Sequence, residues 1–278
     1  MLWKRTIILW SGYAIVLTIA IFTLLVASTA TAEEIKIGGT GNALGAMRLL
    51  AIAFGQQNPD VNVLVLPSLG SSGAVKAVPK GAIDIGLSSR PLTEDETAHG
   101  AISVEYARTL LVFAVPMASK VTAITTDQLV DIYSGKLLNW PDGSFIHPVL
   151  RQPGDDNTRQ VRNISPAMGN ALSVVEQRQG IPFAMTDQEA ANKIESIPGA
   201  LGVTTLALII SENRQLRALT LDGVEPTVTN AVSGSYPHHK HLFLITLLKP
   251  SAAVQRFTAF IQSSAGREIL TRTGHWMP

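Results

Sequence analysis

The most informative absence in this sequence of 278 residues is that of cysteine. Without cysteine the chain can form neither a disulfide framework nor a thiolate metal site, and it has no thiol nucleophile. A lipoprotein anchored through a lipid-modified cysteine after the N-terminal apolar run is excluded for the same reason. Charged residues are also few, at 15% of the chain, and the 22 basic and 21 acidic residues nearly cancel. Nucleic-acid surfaces need a clustered basic excess, so no nucleic-acid partner is expected.

The N-terminus carries the longest apolar run of the chain. Lys4 and Arg5 precede the apolar segment 6–27, and Ala30-Thr-Ala32 follows it. A basic start, an apolar middle and a small-x-small end are the three parts of a secretory signal peptide, which we predict for residues 1–32. The folded protein is then expected in the periplasm. About 20 apolar residues can also span a bilayer, so an uncleaved membrane anchor is the alternative.

From Ile35 onward the sequence repeats one arrangement three times, a short strand followed by a turn rich in glycine and serine. The turns occupy residues 38–42, 67–73 and 88–92, and a helical segment follows the first two. In open α/β sheets the carboxyl ends of neighbouring strands converge on one crevice, so these turns predict a shared binding site. The candidate binding residues that they contribute are Thr40, Gly41, Asn42, Ser71, Ser72, Gly73, Ser88, Ser89 and Arg90.

The first of these turns superficially resembles a dinucleotide-binding fingerprint. Gly39, Gly41 and Gly45 stand in nearly the right order, but the last interval is one residue too long and no acidic residue closes the following strand. A nicotinamide-type cofactor is therefore not predicted. Two interpretations remain: an anion cradle at a helix N-terminus, with Thr40 and Asn42 as donors, or a tight turn that needs glycine for its backbone.

The segment 149–159 combines positive charge with helix-capping residues. An apolar run ends in Arg151, Pro153-Gly154 forces a turn, and four residues suited to the N-cap of a helix follow before Arg159. Arginine and a helix N-terminus favour a bound anion. The two aspartates either point outward as caps or accept a proton from a protonated oxyanion, and a simple capped surface turn is the alternative to a site. The candidates here are Arg151, Asp155, Asp156, Asn157 and Thr158.

The remainder of the chain yields coarse predictions of strands and helices. Residues 110–115 form an apolar segment that we interpret as a crossing between two lobes, and 216–221 is typical of a strand. Helices are predicted over 74–80 and, with an amphipathic pattern, over 252–270.

Metal binding and catalysis have little support in the sequence. His238, His239 and His241 invite a metal hypothesis, but along a strand only the last two share a face, so a polar entry to a strand is the preferred interpretation. A hydrolase would need a nucleophile elbow, and Gly70-Ser-Ser-Gly73 does not have the Gly-x-Ser-x-Gly spacing. We therefore predict no metal, no cofactor and no catalytic residue.

Taken in order, these segments resemble the phosphate-binding, type 2 periplasmic solute-binding proteins of ABC importers, from Ile35 to Pro278. The resemblance is carried by Gly38–Asn42, Leu69–Gly73, Asp84–Leu92, Leu129–Lys136 with Asn139-Trp140, Arg151–Gly154, Gly199–Val203, Tyr236-Pro237, and Ala265–Leu270 with Gly274. Each segment is unspecific alone, and their order and spacing together are specific.

The resemblance implies an α/β fold with two lobes, each a mixed sheet flanked by helices, joined by two crossing strands. Lobe 1 would comprise residues 33–114 and 243–278, and lobe 2 residues 115–242. It implies a monomer that captures an inorganic oxyanion, phosphate by preference, between the lobes and delivers it to an ABC-type membrane permease. The alternatives are a binding protein for another anion or small solute that serves signalling, and a periplasmic hydrolase.

Two departures from the family pattern bear on the ligand. After Gly154 this chain has Asp155-Asp156-Asn157-Thr158, one residue longer and more acidic than the usual loop. Ser89 stands where some members carry an aspartate that accepts the proton of hydrogen phosphate. Asp155 or Asp156 could take over that role. Were both ionised and facing a divalent anion in a poorly solvated cleft, the repulsion would cost several kcal/mol.

Overall fold

The computed structural model describes residues 32–278. The signal peptide predicted for residues 1–32 therefore lies outside the described residues, apart from Ala32. Within residues 32–278 no helix is both long enough and apolar enough to cross a membrane.

The chain begins with parallel strands and the helices that connect them. The elements are β1 Glu33–Gly39, α1 Gly41–Gln57, β2 Val61–Val65, α2 Gly70–Ala77, β3 Ile85–Ser88, α3 Glu94–Thr97 and β4 Ala101–Pro116. Strand β1 lies between β2 and β3 and is parallel to both. Ile35 and Ile37 of β1 are buried while Glu34 and Lys36 are exposed, which is the alternation of a strand with one face on a core.

A second group of elements follows β4. It comprises β5 Ala123–Ile124, α4 Thr126–Ser134, β6 His147–Arg151, α5 Asp156–Arg162, α6 Pro166–Glu176, β7 Phe183–Ala184, α7 Asp187–Ser196, β8 Ala200–Thr205, α8 Leu206–Ser211, β9 Leu216–Ala218, β10 Thr220–Leu221 and α9 Val228–Val232. The chain then returns through β11 His239–Leu247 and ends with α10 Ala252–Gln262, α11 Ser264–Arg272 and β12 His275–Trp276.

Two main hydrophobic cores take up the two halves of β4. The first, which we call the N-terminal core, is built from residues of 35–107 and 242–270 and includes Phe54, which packs edge-on against Phe257. The second, which we call the central core, is built from residues of 110–236.

Strand β4 connects the two cores because its two halves pair with different strands of one ten-stranded sheet. Its first part pairs with β11, which inserts antiparallel between β3 and β4, and its last part pairs with β8 and β9. The partner changes between Leu110 and Leu111, and the backbone N–H of Leu111 donates to the carbonyl of His238 just before β11 begins. Residues 110–115, interpreted from the sequence as a crossing between lobes, lie in the second half of a strand of 16 residues.

Three element boundaries differ from those predicted. The C-terminal helix is broken at Ser263, whose side chain accepts the backbone N–H of Gly266 and so caps a second helix. The strand 216–221 is interrupted at the buried Leu219. Helix α2 spans 70–77 and not the predicted 74–80, because it starts within the glycine and serine turn.

Candidate functional site

A cavity of about 420 Å³ lies where the turns after β1, β2 and β3 face the first turns of α5 and α7. Its wall combines hydroxyl groups, four cations and three carboxylates. The lining residues are Thr40, Asn42, Ser68, Leu69, Gly70, Ser71, Ser72, Arg90, Arg151, Gln152, Gly154, Asp155, Asp156, Arg159, Met185, Thr186, Asp187 and Lys240.

The backbone at Gly39 brings the turns after β1, β2 and β3 together. Its φ is +150°, a conformation that glycine adopts readily, and a Cβ there would lie 2.0 Å from the carbonyl oxygen of Leu87. The Gly39 carbonyl accepts the N–H of Leu69 at 3.0 Å, and the N–H of Thr40 donates to the Leu87 carbonyl at 2.9 Å. The predicted convergence of three turns therefore depends on close backbone approach at one glycine.

The hydroxyl groups of these turns divide into those that face the cavity and those that support it. Thr40 and Ser71 line the cavity. Ser89 stands behind them: its Oγ donates to Thr40 Oγ1 at 3.1 Å and its N–H donates to Ser71 Oγ at 3.0 Å. Ser88 is buried and donates to the carbonyl of Arg90 at 2.7 Å. Two of the predicted serines therefore position the wall and do not line it.

Arg90 lines the cavity, but its charge is matched locally. Its guanidinium donates to both carboxylate oxygens of Glu96, at 2.7 and 2.8 Å. These hydrogen bonds, together with those from Thr93, overcome partial burial and lower the pKa of Glu96 to about 2. Glu96 is consequently an anion at neutral pH, and Arg90 contributes little uncompensated positive charge to the cavity.

Arg151, at the end of β6, is the most deeply placed arginine of the wall. Its side chain is 9% exposed, and its Nη2 lies 2.5 Å from Asp155 Oδ2 and 3.5 Å from Asp187 Oδ1. Its Nε and Nη1 are buried and have no hydrogen-bond partner among residues 32–278. Buried donors without partners are costly, so an arginine left in this state beside a cavity indicates an anion as its partner.

The two aspartates of the lengthened loop are both held by cations. Asp155 is the N-cap of α5, where its Oδ1 accepts the N–H of Asn157 at 3.0 Å while Oδ2 binds Arg151. Asp156 lies 2.7 Å from Lys240 Nζ and 3.2 Å from Arg159 Nη2. Burial raises the pKa of Asp156, but the charges and hydrogen bonds of these two cations outweigh burial and lower it below its usual value. Asp155 is thus a helix cap, as one of the two interpretations predicted, but it faces the cavity and not the solvent.

Sequence reasoning missed Lys240 and Asp187. Lys240 is 1% exposed on β11, and its Nζ donates to Asn157 Oδ1 at 2.5 Å. Asp187, at the start of α7, is 5% exposed and accepts from Asn157 Nδ2 at 3.0 Å. Burial raises the pKa of Asp187, Arg151 opposes the increase and the nearby charge of Asp155 adds to it. One signal was available, because Lys240 shares the buried face of an alternating strand with Leu242.

Eight of the fourteen predicted binding residues line the cavity, and six do not. Those in the wall are Thr40, Asn42, Ser71, Ser72, Arg90, Arg151, Asp155 and Asp156. Of the others, Ser88, Ser89 and Asn157 lie directly behind the wall, and Gly41 packs against Asp187 and Gln188. Gly73 is half-buried in α2. Thr158 faces a small separate cavity beside Tyr133 and Val161.

The histidine cluster lies on the sheet formed by β4, β11 and β12. His239 and His241 share a strand face, with ring centroids 5.2 Å apart, and His241 Nδ1 lies 2.8 Å from Glu105 Oε1. His239 packs edge-on against Trp276. Within the part of the chain that the structure describes, no three His, Cys, Asp or Glu residues are arranged to hold a metal ion.

Comparison with known proteins identifies related chains and folds. A family model described as the PBP superfamily domain matches residues 26–265. The phosphate-binding protein PstS of Bacillus subtilis is 25% identical over 94% of this chain and 92% of its own length. PstS of Borreliella burgdorferi is 23% identical over 86% and 88%.

Solved structures confirm the predicted fold class, that of type 2 periplasmic binding proteins. A putative phosphate ABC transporter substrate-binding protein with bound phosphate from Clostridium perfringens superposes with a TM-score of 0.74 at 23% identity, over 88% of this chain and all of the other. The periplasmic molybdate-binding protein of Azotobacter vinelandii superposes with a TM-score of 0.63 at 15% identity, over 88% and 99%.

Proposed function

Since this chain belongs to the PBP superfamily, we propose that it is a solute-binding protein that captures an oxyanion, phosphate by preference, in the 420 Å³ cavity. One observation carries the proposal. Arg151 is buried in the cavity wall, and its Nε and Nη1, which together carry three N–H groups, have no acceptor among the described residues, so a bound anion would supply the missing acceptors.

The other groups of the wall suit the same ligand. Thr40, Ser71 and Ser72 bring hydroxyl groups to the cavity, and a hydroxyl group can donate a hydrogen bond to an oxyanion or accept one from its protonated oxygen. No histidine lines the cavity in the described part of the chain, which supports binding over hydrolysis. The two PstS relatives bear the name phosphate-binding protein, which supports phosphate as the first ligand to test.

Capture would use the two halves of the molecule as lobes, residues 33–114 with 243–278 and residues 115–242. The cavity wall takes residues from both, and two polar contacts join them beside it. Gln188 Nε2 donates to the Gly41 carbonyl at 2.8 Å, and Thr205 Oγ1 donates to Asn42 Oδ1 at 3.2 Å. A ligand that binds groups of both lobes stabilises the closed arrangement, so binding energy can drive closure.

The same proposal includes export and delivery. The protein would be exported through its N-terminal signal peptide, act in the periplasm as a monomer and deliver the bound anion to an ABC-type membrane permease. The PstS relatives and the phosphate-bound ABC transporter protein of the same fold support this role.

Isothermal titration calorimetry of the purified protein with phosphate, arsenate, sulfate, molybdate and tungstate tests the proposal. We expect one phosphate per chain and a loss of binding in Arg151→Met. The matched control is Arg256→Met, because Arg256 forms an exposed ion pair with Asp60 outside the cavity and its removal should leave phosphate affinity unchanged. Absence of binding to every oxyanion by the wild-type protein would refute the proposed function.

A further inference from the structure

Lys240 occupies a position where a structural residue would be apolar. On β11 it points to the same buried side as Leu242 and Leu244, it is 1% exposed, and it lines the cavity. Removing an ammonium group from water costs several kcal/mol unless it is paired, so an apolar residue would serve the sheet better. The position of Lys240 therefore calls for a functional explanation.

Counting donors shows that Lys240 has capacity to spare. A lysine ammonium group carries three N–H donors. Two are used, by Asp156 Oδ2 at 2.7 Å and Asn157 Oδ1 at 2.5 Å. One N–H of Lys240 is left without an acceptor, in addition to the two unpartnered nitrogens of Arg151, Nε and Nη1. Arg151 comes from β6 and Lys240 from β11, and β4 and β8 lie between these two strands, so the donors reach the cavity from well-separated strands of the sheet.

The charges around the cavity indicate that Lys240 does more than pair with one carboxylate. Three carboxylates of the wall, Asp155, Asp156 and Asp187, are at most 19% exposed. Arg151 is shared between Asp155 and Asp187. Of the other cations in the described wall, Arg159 has a side chain that is 48% exposed and Arg90 is paired with Glu96. Without Lys240, Arg151 would therefore be the one deeply buried cation left to balance three carboxylates and a bound anion.

We propose that Lys240 is a ligand-binding residue, which donates a charged hydrogen bond to the same oxyanion that Arg151 holds. This proposal rests on the proposed function. The competing explanation is that Lys240 only neutralises Asp156. The two explanations differ in what happens when Asp156 is neutralised by mutation.

The test compares Lys240→Met, Asp156→Asn and the double variant by phosphate titration calorimetry and by thermal unfolding without ligand. Lys240→Met should lower the melting temperature, because it leaves Asp156 buried with only Arg159 as a cation. Phosphate affinity should fall between about tenfold and hundredfold, the range of one charged hydrogen bond. In the double variant the melting temperature should recover while phosphate affinity stays low.

Three outcomes decide the matter. Low affinity in a thermally restored double variant supports ligand contact by Lys240. Wild-type affinity in the double variant overturns that contact and leaves the proposed function standing. A wild-type protein that binds no oxyanion overturns the proposed function, and Lys240 binding with it. If Lys240→Met does not fold, the comparison of the double variant with Asp156→Asn alone gives the same decision.

Discussion

Arg151→Met gives the sharpest test of the cavity's internal electrostatics. The substitution keeps most of the side-chain volume but removes the cation next to two carboxylates, Asp155 at 2.5 Å and Asp187 at 3.5 Å. Removing one partner of a buried ion pair costs about 3–5 kcal/mol, because the other partner remains buried and uncompensated. For a chain of this size 1 kcal/mol corresponds to roughly 2–4 °C, so the melting temperature should fall by about 6–20 °C.

The assay is thermal unfolding followed by circular dichroism at several pH values without ligand. In the variant, burial and Asp155 raise the pKa of Asp187 with no opposing arginine. A carboxyl whose folded-state pKa is raised stabilises the protein below its unfolded-state pKa and loses that contribution as pH rises through the raised value. The deficit of the variant should therefore be large at pH 7.5 and shrink towards pH 4.

Three results bear on this reasoning. A second substitution, Asp187→Asn, should restore part of the lost stability, since it removes one of the two carboxylates that are left without Arg151. Arg256→Met should behave like the wild type, because Arg256 pairs with Asp60 at the surface. A wild-type melting temperature for Arg151→Met at pH 7.5 would refute the network of Arg151 with the two aspartates.

Two further predictions concern single positions. The change in the free energy of unfolding caused by Asp187→Asn should be more favourable at pH 7.5 than at pH 4, because burial raises the pKa of Asp187 and its ionised form is the unfavourable one. Urea titrations of the variant and the wild type at both pH values measure this change. An equal change at both pH values would contradict the raised pKa. Gly39→Ala should cost at least about 2 kcal/mol, because its Cβ would lie 2.0 Å from the Leu87 carbonyl oxygen. The matched Gly55→Ala in α1 has no atom within 4 Å of the new Cβ and should stabilise by about 0.5–1 kcal/mol, so similar losses for both would reject the backbone argument.

The parts of the site that could be predicted are those that local sequence determines. A strand followed by a glycine and serine turn has few conformations, and parallel neighbours bring such turns to one edge of a sheet. Thr40 and Ser71 were found in this way, Arg151 was found from the apolar run and the Pro153-Gly154 turn beside it, and all three line the cavity. The cap of α5 was found because the Asp155 side chain accepts a backbone N–H of its own helix, that of Asn157.

The parts that could not be predicted depend on packing between distant segments. Lys240 meets Asn157 across 83 positions of sequence, and no local pattern states that β11 will lie beside α5. Ser89 is a residue type common in ligand-binding turns, yet its hydroxyl donates to Thr40 Oγ1. Composition indicates that a turn belongs to a site, but the direction of each hydroxyl is decided by its neighbours.

The lengthened acidic loop illustrates how composition alone misjudges a site. From the sequence, its two carboxylates argue against a divalent anion. In the structure each is paired with a cation, Asp155 with Arg151, which Asp187 shares, and Asp156 with Lys240 and Arg159. The carboxylates offset charge that is already present, and they hold both deep cations in place for a ligand. Oxyanion affinity should accordingly depend on the free donors of these cations and not on the net charge of the loop.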